Sequence, residues 1–184
     1  MRLTGGLDRG RKLKAPRGAT TRPTGAKVRE AIFNILGPPP QDSVLDLFAG
    51  TGSLGIEALS RGAPMATFVE RDPRALQALQ RNIREFGFEA RARVVPGAVQ
   101  AALRHLTDVR FAWVFIDPPY AAGEVEPVLA LLSGSATLAS GAVIVVEHDK
   151  RHVPPDQVGT LRRTDRRFYG DTGVSFYRRE TGLA

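Results

Sequence analysis

Residues 44–55 read Val44-Leu45-Asp46-Leu47-Phe48-Ala49-Gly50-Thr51-Gly52-Ser53-Leu54-Gly55. The run SVLDLF from Ser43 has the apolar texture of a buried strand, and Ser53–Arg61 has the spacing of a helix. Between them lies Gly-x-Gly-x-x-Gly. Glycines at such a junction permit a tight turn and a close approach of backbone to a ligand. The start of the following helix offers unpaired N–H groups. The strand–loop–helix context makes this pattern a candidate ligand loop, where glycines alone would indicate only a turn.

Reading outward, the chain alternates. After the helix at Ser53–Arg61 come a strand (MATFVE), a helix over Pro73–Phe86 with Asp72 as cap, and a strand (ARVV). A helix over Val99–Leu106, a strand (RFAWVFID), a helix over Val125–Leu132 and a strand (GAVIVVEH) follow. Strands separated by helices predict a mostly parallel, doubly wound α/β sheet with helices on both faces. Beyond Pro154-Pro155, TLRRTDRRFYG and VSFYRRE predict an antiparallel C-terminal hairpin turning at Gly170-Asp171-Thr172-Gly173. The N-terminal segment predicts a small hairpin pairing Arg2–Thr4 with Lys12–Lys14. A helix follows, capped by Thr24 and ended by Gly37-Pro38-Pro39-Pro40. The expected organisation is a basic extension over 1–37 and a main domain over 38–184.

Glu70 ends the second strand, twenty residues after Gly50. An acid there suits the two hydroxyls of a ribose. NAD and S-adenosylmethionine both carry one. Asp46 lies inside the first strand, where a carboxylate repels a pyrophosphate but suits a ligand with an ammonium and a sulfonium. S-adenosylmethionine is therefore the expected cofactor, and Asp46 also suits a structural role holding the loop's N–H groups. Phe48, Gly50, Thr51 and Gly52 in the loop, with Arg71 beside Glu70, complete the first set of expected cofactor contacts.

The fourth strand stops at Asp117-Pro118-Pro119-Tyr120. In an open α/β sheet the carboxyl ends of the strands edge the ligand crevice, so Asp117 should face the glycine loop. Pro118 and Pro119 donate no N–H and stiffen the backbone. The result is a loop rich in acceptors, suited to an exocyclic amino group with two N–H donors. Tyr120 offers a face on which an unstacked base can lie. Asp117, Pro118, Pro119 and Tyr120 are the candidate catalytic residues.

With DLFAGTG after the first strand, this loop resembles those of class I, Rossmann-like methyltransferases acting on amino nitrogens. The whole chain resembles the bacterial 16S ribosomal RNA guanine-N2 methyltransferases of the RsmD type. The matching blocks are Gly5-Gly6 with Arg9–Leu13, Thr21–Thr24 with Val28–Leu36, DLFAGTGSLGIEALSRGA, FIDPPYAAG, and Tyr169-Gly170 with Val174–Tyr177. The resemblance implies transfer of a methyl group from S-adenosylmethionine to the N2 amine of a guanine flipped into the pocket beside Asp117. Such enzymes commonly carry an acid after the third strand that accepts from the adenine amine. Here the segment is Val95-Pro96-Gly97-Ala98-Val99, with no acid, so either backbone groups at Ala98 and Val99 do this work or cofactor affinity is lower. Adenine-N6 methylation and a non-catalytic RNA-binding relative are the competing readings.

The net charge of +7 is unevenly placed. Residues 1–30 carry nine Lys/Arg against two acids, 31–149 nine against thirteen, and 150–184 eight against four. A mildly acidic body between basic ends points to a nucleic-acid partner; the resemblance implies that this is ribosomal RNA or the small ribosomal subunit. Arg9, Arg11, Lys12, Lys14, Arg22, Lys27 and Arg29 are the expected RNA contacts, with Arg166, Arg167 and Arg178 secondary. The chain has no cysteine, which excludes disulfides, thiolate metal sites and cysteine nucleophiles. No metal is expected. No run approaches the roughly 18–20 apolar residues of a membrane span, and the start lacks a signal-peptide apolar core. A cytoplasmic monomer is the expectation.

Overall fold

The first strand forms as β1 (Ser43–Leu47), in the middle of an eight-stranded sheet. The structure is a computed structural model and describes residues 1–15, 25–119 and 123–180. Strand β1 runs parallel to β2 (Ala66–Glu70) on one side and to β4 (Phe111–Ile116) on the other. Next to these lie β3 (Ala92–Pro96) and β5 (Leu138–Asp149), both also parallel. The hairpin β7 (Leu161–Tyr169) and β8 (Thr172–Arg179) follows, with β8 inserted antiparallel beside β5. A two-residue edge strand, β6 (Gln157–Val158), gives the order β3-β2-β1-β4-β5-β8-β7-β6. The chain winds outward in one direction from β1 and in the other from β4. That switch leaves a crevice above their carboxyl ends.

Side-chain alternation explains why β1 is apolar almost throughout. Val44 points into one core and Leu45 and Leu47 into the other, each beneath its own helices. On the first face pack α1 (Ala26–Leu36), α2 (Ser53–Arg61) and α3 (Pro73–Phe86), with Ile32, Phe33, Ile56 and Leu79 over Phe68 and Phe115. On the second pack α4 (Val99–His105) and α5 (Val125–Ser133), with Leu103, Val128 and Leu132 over Val114 and Ile144. Asp72 caps α3 as expected, accepting from the N–H of Ala75 at 3.1 Å, with Pro73 in the first turn and left-handed Gly87 at the end.

Three boundaries differ from expectation. Strand β5 begins at Leu138 because Phe111 pairs with it. The register then shifts before Trp113 meets Val143, which hides one strand behind Ser140-Gly141. The β7–β8 turn is only Gly170-Asp171, since Tyr169 already pairs with Thr172. Gly173 is a strand residue, small because a Cβ there would lie 2.2 Å from the His148 ring. Strand β6 has too few residues for a periodic signal.

The N-terminal hairpin exists with a single antiparallel bridge, Arg2 to Lys12. Leu3 donates to the Arg11 carbonyl at 3.0 Å, and Leu13 to that of Met1 at 2.9 Å. Leu3 and Leu13 are buried in the same core as α1–α3. Helix α1 is capped by Gly25 without a side-chain hydrogen bond. Thr24 lies outside the described residues, as do Arg22 and Tyr120.

Arg29 needs correction. It was expected among the RNA contacts but is fully buried. Its Nε donates to Glu57 Oε2 at 3.1 Å, and Nη2 donates to the Arg2 carbonyl. Glu57 also accepts from the Thr4 N–H at 2.8 Å and from Arg61 Nε at 3.0 Å. Arg29 thus ties α1 to α2 and the hairpin, and its guanidinium cannot reach a surface phosphate.

Candidate active site

Phe48, the residue after β1, has φ 59°, the one positive φ at a non-glycine residue among the described residues. Such geometry costs on the order of 1–3 kcal/mol and is held only when the surroundings impose it. Here the ring is half-buried against the α4–α5 core. The turn it starts continues through Gly50 (φ 55°) and Gly52 (φ 82°). At Gly52 a Cβ would lie 2.5 Å from Leu79. At Gly55 it would lie 2.3 Å from the Phe68 ring, so this glycine lets α2 settle onto the sheet.

That close approach brings the Gly55 N–H to Asp46 Oδ2 at 2.8 Å. Asp46 therefore fills the structural role, fastening α2 to β1. Burial pushes its carboxyl well above the usual carboxylate range; the Gly55 N–H pulls the other way, and the Asp117 and Glu70 carboxylates raise it further. Glu70 accepts from the N–H groups of Gly50 and Arg71, both at 2.8 Å, and of Asp72 at 2.7 Å. A carboxylate offers roughly four lone-pair sites, so about one remains for a ligand hydroxyl. Arg71 itself is exposed. Asn82 on α3 donates to the carbonyls of Thr51 at 2.9 Å and Lys14 at 3.1 Å, clamping the glycine loop to the end of the hairpin.

Asp117 follows β4 and is half-buried, as is Pro118, while Pro119 is exposed. Residue parity in the paired strands places Glu70, Asp46, Asp117 and Glu147 on one face of the sheet, toward the carboxyl ends of β2, β1, β4 and β5. Pro118 and Pro119 edge a cleft of about 310 Å³ that is also lined by Glu126, Glu147, His148 and His152. This volume is at the low end of small-molecule sites, roughly 300–1,000 Å³. Glycine loop, Glu70, Asp46 and Asp117 thus converge. Ala98 is exposed and Val99 has its side chain in the α4–α5 core, so what Val99 can present to a ligand is backbone. A glycine loop among carboxylates fits a cationic ligand bearing a ribose and disfavours a pyrophosphate. Among the described residues no group of three or more His, Cys, Asp or Glu side chains could hold a metal.

The basic residues divide. Arg9, Lys12, Lys14 and Lys27 are exposed. Arg11 is half-committed: it pairs with Asp8, donates to the Glu85 carbonyl at 2.6 Å and stacks 4.3 Å over Phe86. Arg166, Arg167 and Arg178 are exposed on β7 and β8. Three residues of interest escaped the sequence reading. Glu147 carried a legible signal, since it is an acid ending an apolar strand, as Glu70 and Asp117 are. His148 lines the cleft and contacts Ser175 Oγ at 2.9 Å. Phe168 is 49% exposed, with its ring edge-on to His148 at 6.5 Å and the Arg166 guanidinium 5.2 Å over it. Its alternation in β7 gave no hint of exposure.

The sheet order and the crevice edged by a glycine loop define a Rossmann-like methyltransferase fold, which its structural neighbours share. The solved structure of yhhF from Escherichia coli superposes with a TM-score of 0.86 at 36% identity, covering 99% of both chains. A Pyrococcus horikoshii structure, at 20% identity and TM-score 0.70, shares the fold. The chain belongs to the ribosomal RNA small subunit methyltransferase D family, whose model, described as "Conserved hypothetical protein 95", matches residues 1–178. Escherichia coli Ribosomal RNA small subunit methyltransferase D is 36% identical over 181 residues, spanning 98% of this chain and 90% of its own. Bacillus subtilis YlbH is 40% identical over 182 residues, spanning 97% and 99%.

Proposed function

We propose that this protein methylates small-subunit ribosomal RNA, using S-adenosylmethionine to modify the N2 amine of one guanine. The observation that carries this reading is the placement of Asp117-Pro118-Pro119. These residues follow β4, whose neighbour β1 leads into the glycine loop, and Pro118 and Pro119 line a cleft of about 310 Å³. Their family membership adds the substrate class: relatives of this length carry ribosomal RNA small subunit methyltransferase names.

When bound, the donor supplies an electrophilic methyl on a sulfonium. The chain's work is positioning, which can lower a barrier by several kcal/mol when reacting atoms are held in line. Glu70 and the Gly50–Gly52 backbone hold the ribose and amino-acid portions, and Asp46 contributes negative charge. Asp117 and the Pro118 carbonyl accept the two N–H bonds of the guanine amine and aim the nitrogen at the methyl. The amine must shed one of its two protons on methylation, and Asp117, already accepting from it, would stand beside that proton. Tyr120 supplies the stacking face for the flipped base, whose extraction costs a few kcal/mol. Exposed Arg9, Lys12, Lys14 and Lys27 offset that cost through phosphate contacts. The test is Asp117→Ala, which should abolish methyl transfer while leaving cofactor affinity within a few-fold of wild type. Near-normal turnover by that variant would remove Asp117 from the reaction.

A further inference from the structure

The β4–β5 register ends with Ile116 beside Val146, so Asp117, the first residue past β4, and Glu147 on β5 continue two strands spaced about 4.8 Å apart. They share a face: Phe115 and Val145 enter the α1–α3 core, Ile116 and Val146 the α4–α5 core, and the alternation returns Asp117 and Glu147 to the first. Glu147 is only 6% exposed yet lines the cleft with Pro118 and Pro119. Glu147 is therefore a nearly buried carboxylate that lines the cleft on the strand next to the one Asp117 follows.

We propose that Glu147 is the specificity-determining residue for guanine, accepting the N1–H while Asp117 accepts from N2. This rests on the reading of the cleft as the target-base site. A guanine presents N1–H and N2–H₂ as adjacent donors on its Watson–Crick edge. An adenine presents its N6 amine beside N1, which is an acceptor. An ionised carboxylate accepts only, so it pairs with guanine N1–H and opposes the adenine N1 lone pair. Sites built to bond a substrate N–H reject analogues lacking it far more strongly than apolar pockets reject a missing methylene. Asp117 alone accepts from either amine, so the choice between bases falls to its neighbour.

The test uses full-length protein and small-subunit RNA carrying guanine or 2-aminopurine at the methylated position. 2-Aminopurine keeps the reacting amine but has an unprotonated N1. Wild type should prefer guanine by roughly a hundredfold or more in kcat/KM. Glu147→Gln, whose amide can donate to that N1, should cut the preference at least tenfold while binding S-adenosylmethionine normally. Equal methylation of both bases by wild type overturns the proposal without reference to any variant. So does a Glu147→Gln enzyme that slows on both bases by the same factor, which marks a structural residue. If wild type methylates no guanine N2 in ribosomal RNA, the functional reading itself falls, a result distinct from either.

Discussion

The Glu70 carboxylate accepts the backbone N–H of Gly50 at 2.8 Å, joining the end of β2 to the glycine loop after β1. One side chain thus shapes the loop, and in the proposed function it also meets the ribose. Hydrogen bonds to a charged group are worth about 1.5–3 kcal/mol. Glu70→Ala should therefore weaken S-adenosylmethionine binding by roughly 10- to 100-fold in titration calorimetry and also lower the melting temperature. A variant that lost binding with no change in melting would show that Glu70 contacts ligand without organising the loop.

Asp46 should make S-adenosylmethionine binding pH-dependent. Its native carboxyl is raised by burial, whereas in the unfolded chain it titrates near about 4. The native state binds the extra proton across that window. The stability Asp46 contributes is therefore present below the unfolded pKa and lost as pH rises through the native value. A cation bound beside it favours the carboxylate and expels the proton. Affinity for the cationic donor should rise with pH across the same window. Calorimetry at weakly acidic pH, in buffers of different ionisation enthalpy, should detect proton release that Asp46→Asn abolishes.

The Arg29–Glu57 pair and the hairpin cations should respond oppositely to substitution. Both members of the pair are fully buried, and breaking such a pair costs about 3–5 kcal/mol. Arg29→Ala should lower the unfolding free energy by that order in urea titrations. Lys12→Ala or Arg9→Ala should change it by less than about 0.5 kcal/mol. Each of the latter should instead flatten the log K against log salt slope for RNA by about 0.7.

Phe168 sits exposed between Arg166 and the cleft-lining His148. Stacking of an unpaired base on an aromatic side chain is worth about 1–3 kcal/mol. Phe168→Ala should weaken RNA binding by that amount in filter assays and leave cofactor affinity and melting unchanged. Unaltered RNA affinity would mark the ring as plain surface.

Most of the fold was legible because its punctuation is local. Asp72-Pro73 and Gly87 bound α3, and Gly52 and Gly62 bound α2, so both helices match their expected limits. The β5 start was hidden by a register shift that depends on pairing with β4, a tertiary fact. Gly173 resembles a turn residue in sequence, but its size answers to His148, twenty-five positions away. Arg29 was misjudged by counting charge. It stands at i, i+3 and i+4 with Ile32 and Phe33, on the buried stripe of α1, and that spacing was the available warning. The glycine loop was readable from its place between a strand and a helix, and the acids at 46, 70 and 117 because each stands inside or at the end of an apolar run. What sequence does not show is the neighbour relation between Asp117 and Glu147, which depends on the strand order.

The central claim is tested most directly by transferring tritiated methyl from S-adenosylmethionine to unmodified small-subunit ribosomal RNA and subunits, then digesting the product to nucleosides. Label should appear in N2-methylguanosine alone, at one position, and not at all with Asp117→Ala. Label in N6-methyladenosine, or no transfer to either substrate, would contradict it.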